Sequence, residues 1–70
     1  MSSQLTIQLN GEPRKIPEET SLISLLEELG LGGVRIAVEH NEIVVPANQH
    51  GDILLRDGDR LEIVTFVGGG

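Results

Sequence analysis

Helical periodicity is confined to a single stretch of this chain. Leu22, Leu25, Leu26 and Leu29 fall at i, i+3, i+4 and i+7, which sets them on one face of a helix. Apolar residues on either side alternate with polar ones in short runs, the pattern of strands with one buried face. A chain with one amphipathic helix and several strands must lay the helix across a sheet, because neither element can bury its apolar side alone. Thr20 or Ser21 can cap the first helical amides, and Gly30 is placed to end the helix in the left-handed conformation. Glu18 and Glu19 precede the helix, where its dipole favours acids, whereas Glu27 and Glu28 read as a solvated face.

Leu5, Ile7 and Leu9 alternate with Thr6 and Gln8, Asn10-Gly11 tolerates positive φ, and Arg14-Lys15-Ile16 resumes an extended pattern. Together they predict a β-hairpin. Pro13 cannot donate a ladder hydrogen bond and predicts a loose return; Pro17 ends the second strand. After Gly32-Gly33 a third strand is expected from Val34 through Ile36 and Val38, and Asn41-Glu42 turns into a fourth, Ile43-Val44-Val45, closed by Pro46. Ala47 to Asp52 reads as irregular, Ile53-Leu54-Leu55 as tucked under it, and Asp57-Gly58-Asp59 as a turn. The last strand is expected from Arg60 or Leu61 to Val67. This order predicts an α+β fold of the ubiquitin-like β-grasp type: a mixed sheet of four to five strands packed on one helix, with the last strand central beside the first. Residues 1–67 form the expected domain and residues 68–70 a flexible C-terminal glycine tail.

Composition narrows the chemistry. The chain contains no cysteine, which excludes disulfides, thiolate nucleophiles, Fe–S clusters and Cys-ligated zinc. Eleven acidic residues against five basic ones give a net charge of -6, which repels phosphate backbones, and Phe66 is the only aromatic available to stack on a base. Nucleic acid is therefore not an expected partner. No long apolar run or cleavage pattern follows Met1-Ser2-Ser3, so neither a signal peptide nor a membrane span is expected, and a cytoplasmic location is the default.

On the last strand Leu61, Ile63 and Thr65 point one way and Glu62, Val64 and Phe66 the other. If the first set meets the helix, Val64 and Phe66 lie on the open face and Ala37 joins them in a small apolar docking patch. In the opposite register they are core. His40 and His50 read as turn histidines exposed to solvent, too few to hold a metal by themselves. No Ser/His/Asp order, phosphate-binding glycine loop or facing carboxylate pair stands out, so no catalytic residue and no bound cofactor is assigned to the body of the chain.

Asn10-Gly11, "SLLEELG" at Ser24 to Gly30, "AVEHNEIVVP" at Ala37 to Pro46 and "LRDGDRLEIVTFVGGG" at Leu55 to Gly70 together resemble the ThiS family, the sulfur carrier proteins of thiamine biosynthesis. One departure is His50 after Gln49, where the family often has an aromatic. The resemblance implies that an E1-like (ThiF-like) adenylyltransferase, using ATP and Mg²⁺, converts the Gly70 carboxylate into an acyl-adenylate. Sulfur from a donor enzyme then replaces AMP to give a thiocarboxylate, which thiazole synthase (ThiG-like) accepts. Gly68, Gly69 and Gly70 would let the end of the chain extend into a narrow channel, since none carries a Cβ to crowd it. Ordering them costs roughly 1–2 kcal/mol per residue, which docking through Val64, Phe66 and Ala37 would offset.

Three other functions fit the same residues. A molybdopterin-synthase small-subunit type of carrier shares the fold and glycines, but such chains are usually longer and lack a segment like "AVEHNEIVVP". A ubiquitin-like modifier would use the same activated carboxylate to acylate lysines. A plain β-grasp binding module would carry the glycines as a linker remnant; against it, they follow an uninterrupted strand and nothing resembling a tag comes after them.

Overall fold

The computed structural model describes residues 3–66; Val67, Gly68, Gly69 and Gly70 lie outside the described residues, and the expected tail with them. Five strands form one mixed sheet: β1 (Gln4–Leu9), β2 (Glu12–Pro17), β3 (Ile36–His40), β4 (Ile43–Val45) and β5 (Arg60–Thr65). Their order across the sheet is β2-β1-β5-β3-β4. β5 is thus central, parallel to β1 on one side and antiparallel to β3 on the other. Helix α1 (Leu22–Glu28) packs on one face, burying Leu22, Leu25 and Leu26 against a core that includes Ile7, Val38, Leu61 and Ile63. This is the ubiquitin-like β-grasp. Among the described residues no helix is long and apolar enough to cross a membrane.

The β1–β2 return is tighter than Pro13 suggested. Asn10 (φ 51) and Gly11 (φ 84) make a two-residue turn with both φ positive, the geometry that matches strand twist, and β2 begins at once at Glu12. In such a hairpin Leu9 and Glu12 are the closing hydrogen-bonded pair and the pairs then alternate. Gln8↔Pro13 and Gln4↔Pro17 therefore both fall at positions where the β2 amide faces away from β1. Two prolines four residues apart are compatible with an edge strand for this reason, and they blunt that edge against foreign pairing.

The Ser21 hydroxyl accepts from the Ser24 amide at 3.1 Å to cap α1. At the other end Gly30 (φ 79) donates to the Glu27 carbonyl and Leu31 to that of Leu26, the paired bonds of a Schellman ending. The third strand begins later than its apolar pattern suggested. The Val34 amide still bonds back to the Leu31 carbonyl at 3.0 Å, so the chain is turning there and Val34 is left exposed.

Ala47–Asp52 is a 3-10 helix and not irregular chain. It buries His50, whose Nε2 lies 3.3 Å from the Val45 carbonyl; the expected exposed histidine is a covered one. The following residues pair with the approach to α1, through Leu22 N–H to the Ile53 carbonyl and Leu55 N–H to that of Thr20. Leu55 is buried as a result, and Leu54 faces outward.

Candidate functional site

The end of β5 leads to residues 67–70, so its surroundings are the candidate site. Leu61 and Ile63 face the core, while Val64 is 58% and Phe66 54% exposed. Of the two registers open to the sequence, the structure has the one that leaves both residues at the surface. Ala37 lies directly opposite Val64 on β3, and such cross-strand neighbours stand side by side on one face. Phe66 follows the strand, its amide donating to the Arg35 carbonyl at 3.0 Å. It also borders a groove of about 520 Å³ lined by Ile23, Leu26, Leu31, Val34 and His50 on the helix side. The apolar surface here has two parts: Val64 with Ala37 on the open sheet face, and Phe66 at the mouth of the groove.

Charge surrounds the open-face part. Arg60 and Glu62 share a face with Val64 by strand alternation, and Glu62 stands opposite Glu39. Like charges directly opposed are unfavourable, and the Arg60 guanidinium relieves the excess; it lies 3.5 Å from Glu42 and borders a small cavity with Glu39 and Glu62. The result is an apolar spot flanked by acids, complementary to a partner that presents an apolar residue within a basic rim.

At the start of β5 the surroundings are of a different kind. His40 Nε2 lies 2.8 Å from Asp59 Oδ2, the Arg56 amide donates to the same oxygen at 2.9 Å, and Asn41 Nδ2 donates to Oδ1 at 3.1 Å. Burial opposes ionisation of Asp59. The hydrogen bonds from His40, the Arg56 amide and Asn41, with the charge of His40, outweigh it and hold the carboxyl below its ordinary value. His40 is thus half-buried and partnered, against the expectation of a free turn histidine. No serine or threonine hydroxyl among the described residues is hydrogen-bonded to the pair, and no three His, Cys, Asp or Glu side chains there group as metal ligands. The cluster is a clamp on a turn, without the parts of a nucleophile and base.

One residue read only as a turn former reaches the candidate site. Asn10 Nδ2 donates to the Ile63 carbonyl at 3.2 Å, and the Ile63 amide donates to Asn10 Oδ1 at 2.7 Å. Asparagine tolerates the left-handed region, which was the signal used; its carboxamide also carries the donor and acceptor of a peptide group, which was the signal missed. Gly68, Gly69 and Gly70, the residues singled out for the reaction, lie outside the described residues.

Comparison with known proteins agrees with this geometry. A model of the ThiS family matches residues 7–70. The sulfur carrier protein ThiS of Thermus thermophilus is 41% identical over 64 residues, covering 91% of this chain and 98% of the relative. A thiazole synthase of Paramagnetospirillum magneticum is 39% identical over 66 residues, which are 94% of this chain but 20% of that protein, so the chain spans about a fifth of such relatives. The crystal structure of the thiamine biosynthesis protein ThiS from Geobacter metallireducens superimposes with a TM-score of 0.79 at 28% identity, covering 94% of this chain and all of that one. A family match across nine-tenths of the sequence, on the same β-grasp, places this chain in the ThiS family.

Proposed function

We propose that the chain is a sulfur carrier of thiamine biosynthesis in the cytoplasm, a co-substrate with no turnover of its own, and that its reactive group is the α-carboxylate of Gly70. The observation that supports this most is that the family match runs through the last of the three glycines, directly beyond a strand end bearing exposed apolar residues. A carboxylate titrating near about 3.5 is an anion at neutral pH and a poor electrophile. Its oxygen attacks the α-phosphorus of ATP, held with Mg²⁺ by an E1-like adenylyltransferase, and pyrophosphate leaves. A sulfide-level sulfur from a donor enzyme then attacks the acyl carbon, the C–O bond to AMP breaks, and a thiocarboxylate remains. Thiazole synthase takes that sulfur. Relatives named thiazole synthase that contain this domain within a much longer chain support such a pairing.

Docking falls in this scheme to the exposed Val64 and Phe66, with the half-buried Ala37 beside Val64, and their apolar surface can supply the free energy that ordering residues 68–70 consumes. Deleting Gly70 leaves the fold intact and abolishes loading. Mass spectrometry after incubation with the adenylyltransferase, ATP, Mg²⁺ and sulfur donor reads the oxygen-to-sulfur mass increase in the intact chain. Its persistence in the deletion variant would refute the assignment.

A further inference from the structure

β5 is longer than the partner it has on the β1 side. The Gln8 amide donates to the Asp59 carbonyl and the Asn10 amide to that of Leu61, so the odd-numbered peptide groups of β5 face β1. The even-numbered side faces β3, as the bond from Phe66 N–H to the Arg35 carbonyl shows. The next peptide groups due a partner from β1 are the amide and carbonyl of Ile63. β1 has turned away by then, because Asn10 and Gly11 form the turn into β2 and the strand-to-strand register ends at Leu9↔Leu61. The Asn10 carboxamide fills the gap, accepting from the Ile63 amide at 2.7 Å and donating to its carbonyl at 3.2 Å.

We propose that Asn10 is a positioning residue: its side chain stands in for the missing next residue of β1, fixes the outer half of β5, and so sets where the chain leaves the sheet at Phe66. An amide group presents one donor and one acceptor at peptide spacing, so it can replace a ladder residue without adding a strand. The positive φ of Asn10 is part of the device, since the backbone turns away there toward β2 while the side chain reaches on to Ile63 of β5. The consequence for reaction rests on the carrier reading above, in which residues beyond Phe66 deliver the carboxylate to a partner. A loosened exit lowers the fraction of complexes in which the carboxylate meets ATP correctly, which affects kcat, whereas docking through Val64 and Ala37, held by β3, remains.

The test compares Asn10→Gly, which accepts the positive φ but removes both side-chain bonds, with Asn10→Asp, which retains the acceptor for the Ile63 amide. Two quantities are measured on the full chain: hydrogen exchange of the Ile63 amide, and kcat and KM for adenylation by the cognate E1-like enzyme. Asn10→Gly is expected to lower Ile63 protection about fivefold or more, the change that loss of one net hydrogen bond produces. It should also lower kcat by more than it raises KM, since Val64 and Ala37 still dock while Phe66 is less well placed, with Asn10→Asp recovering part of the protection and of kcat. General loss of folded protein would instead appear as a raised KM with kcat unchanged. Ile63 protection unaltered in Asn10→Gly overturns the proposal, as does a kcat equal to that of the wild type. If the wild-type chain is not adenylated at all, the carrier reading fails separately, and hydrogen exchange still decides whether Asn10 pins β5.

Discussion

The two ends of β5 are held by the same device in opposite settings. At its start, Asn41 (φ 51) in the β3–β4 turn donates its amide to the Arg60 carbonyl and accepts the Arg60 amide on its side chain at 2.8 Å. At its end, Asn10, also at φ 51 in a two-residue turn, grips Ile63. Around Asn41 the structure adds the buried Asp59 carboxylate, His40 and the fully buried Leu61. Around Asn10 the chain soon emerges into Val64 and Phe66, both more than half exposed. One end is anchored by burial and charge, the other only guided. On the carrier reading proposed above, that asymmetry suits a strand whose far end presents a group to other proteins, because stability concentrated at the entry leaves the exit surface available for docking.

The comparison is broken most severely at the anchored end by Leu61→Ala. Leu61 has 0% exposure, and emptying such a site costs about 2–5 kcal/mol, a large share of the stability of a domain this small. Urea unfolding should show a much lower midpoint, or no folded baseline at all. A loss below the range for an exposed side chain would mean that β5 is not the central strand described.

Asp59→Ala comes next, at about 1–3 kcal/mol near neutral pH, because the Arg56 amide and the Asn41 side chain lose their acceptor. The same carboxylate fixes a pH dependence. Its folded-state value is depressed, so the stability it contributes is present above the ordinary carboxylate value of about 3.9 and is lost as pH falls through the lower folded one. Unfolding midpoints of the wild type and Asp59→Asn should therefore differ at neutral pH and converge in strong acid. A gap of constant size across that range would show that ionisation of Asp59 contributes nothing.

Much of this was legible in the sequence, and the exceptions have identifiable causes. Leucine spacing located α1 and Gly30 its end, through local periodicity and backbone preference, whereas the central place of β5 came from the β-grasp arrangement that the order of elements matches. Alternation left two registers open for Val64 and Phe66, and packing against α1 decided between them. His50 is buried because the 3-10 helix that contains it turns its ring back on the Val45 carbonyl, and His40 is partnered by Asp59 from a turn 19 residues on; apolar alternation encodes neither. The β2 prolines misled because their outward-facing amides become apparent only once the pairing is known. Asn10 and Asp59 announced turns; that the Asn10 side chain also reaches Ile63, and the Asp59 carboxylate His40 and Asn41, is a long-range fact.

The smallest effect on stability is expected at the guided end. Phe66→Asp places a charge at a residue 54% exposed and beyond the last strand residue, so its unfolding midpoint should stay within about 0.5 kcal/mol of the wild type, the usual range for surface changes. Glu28→Lys is the matched control: it loses the exposed Arg14–Glu28 pair at 3.3 Å, worth a few tenths of a kcal/mol at most, on a part of the helix away from the exit. Titrating each variant against the adenylyltransferase, with binding read by calorimetry, separates them. If the exit surface is the grip, Phe66→Asp weakens binding by about tenfold or more, as loss of an aromatic anchor does, while Glu28→Lys stays close to the wild type. Equal affinities would move the docking surface away from Phe66, leaving Val64 and Ala37 to carry it. A large loss of stability in Phe66→Asp would instead mean that the groove walls close over the ring in solution, and the guided end would be anchored as firmly as the entry.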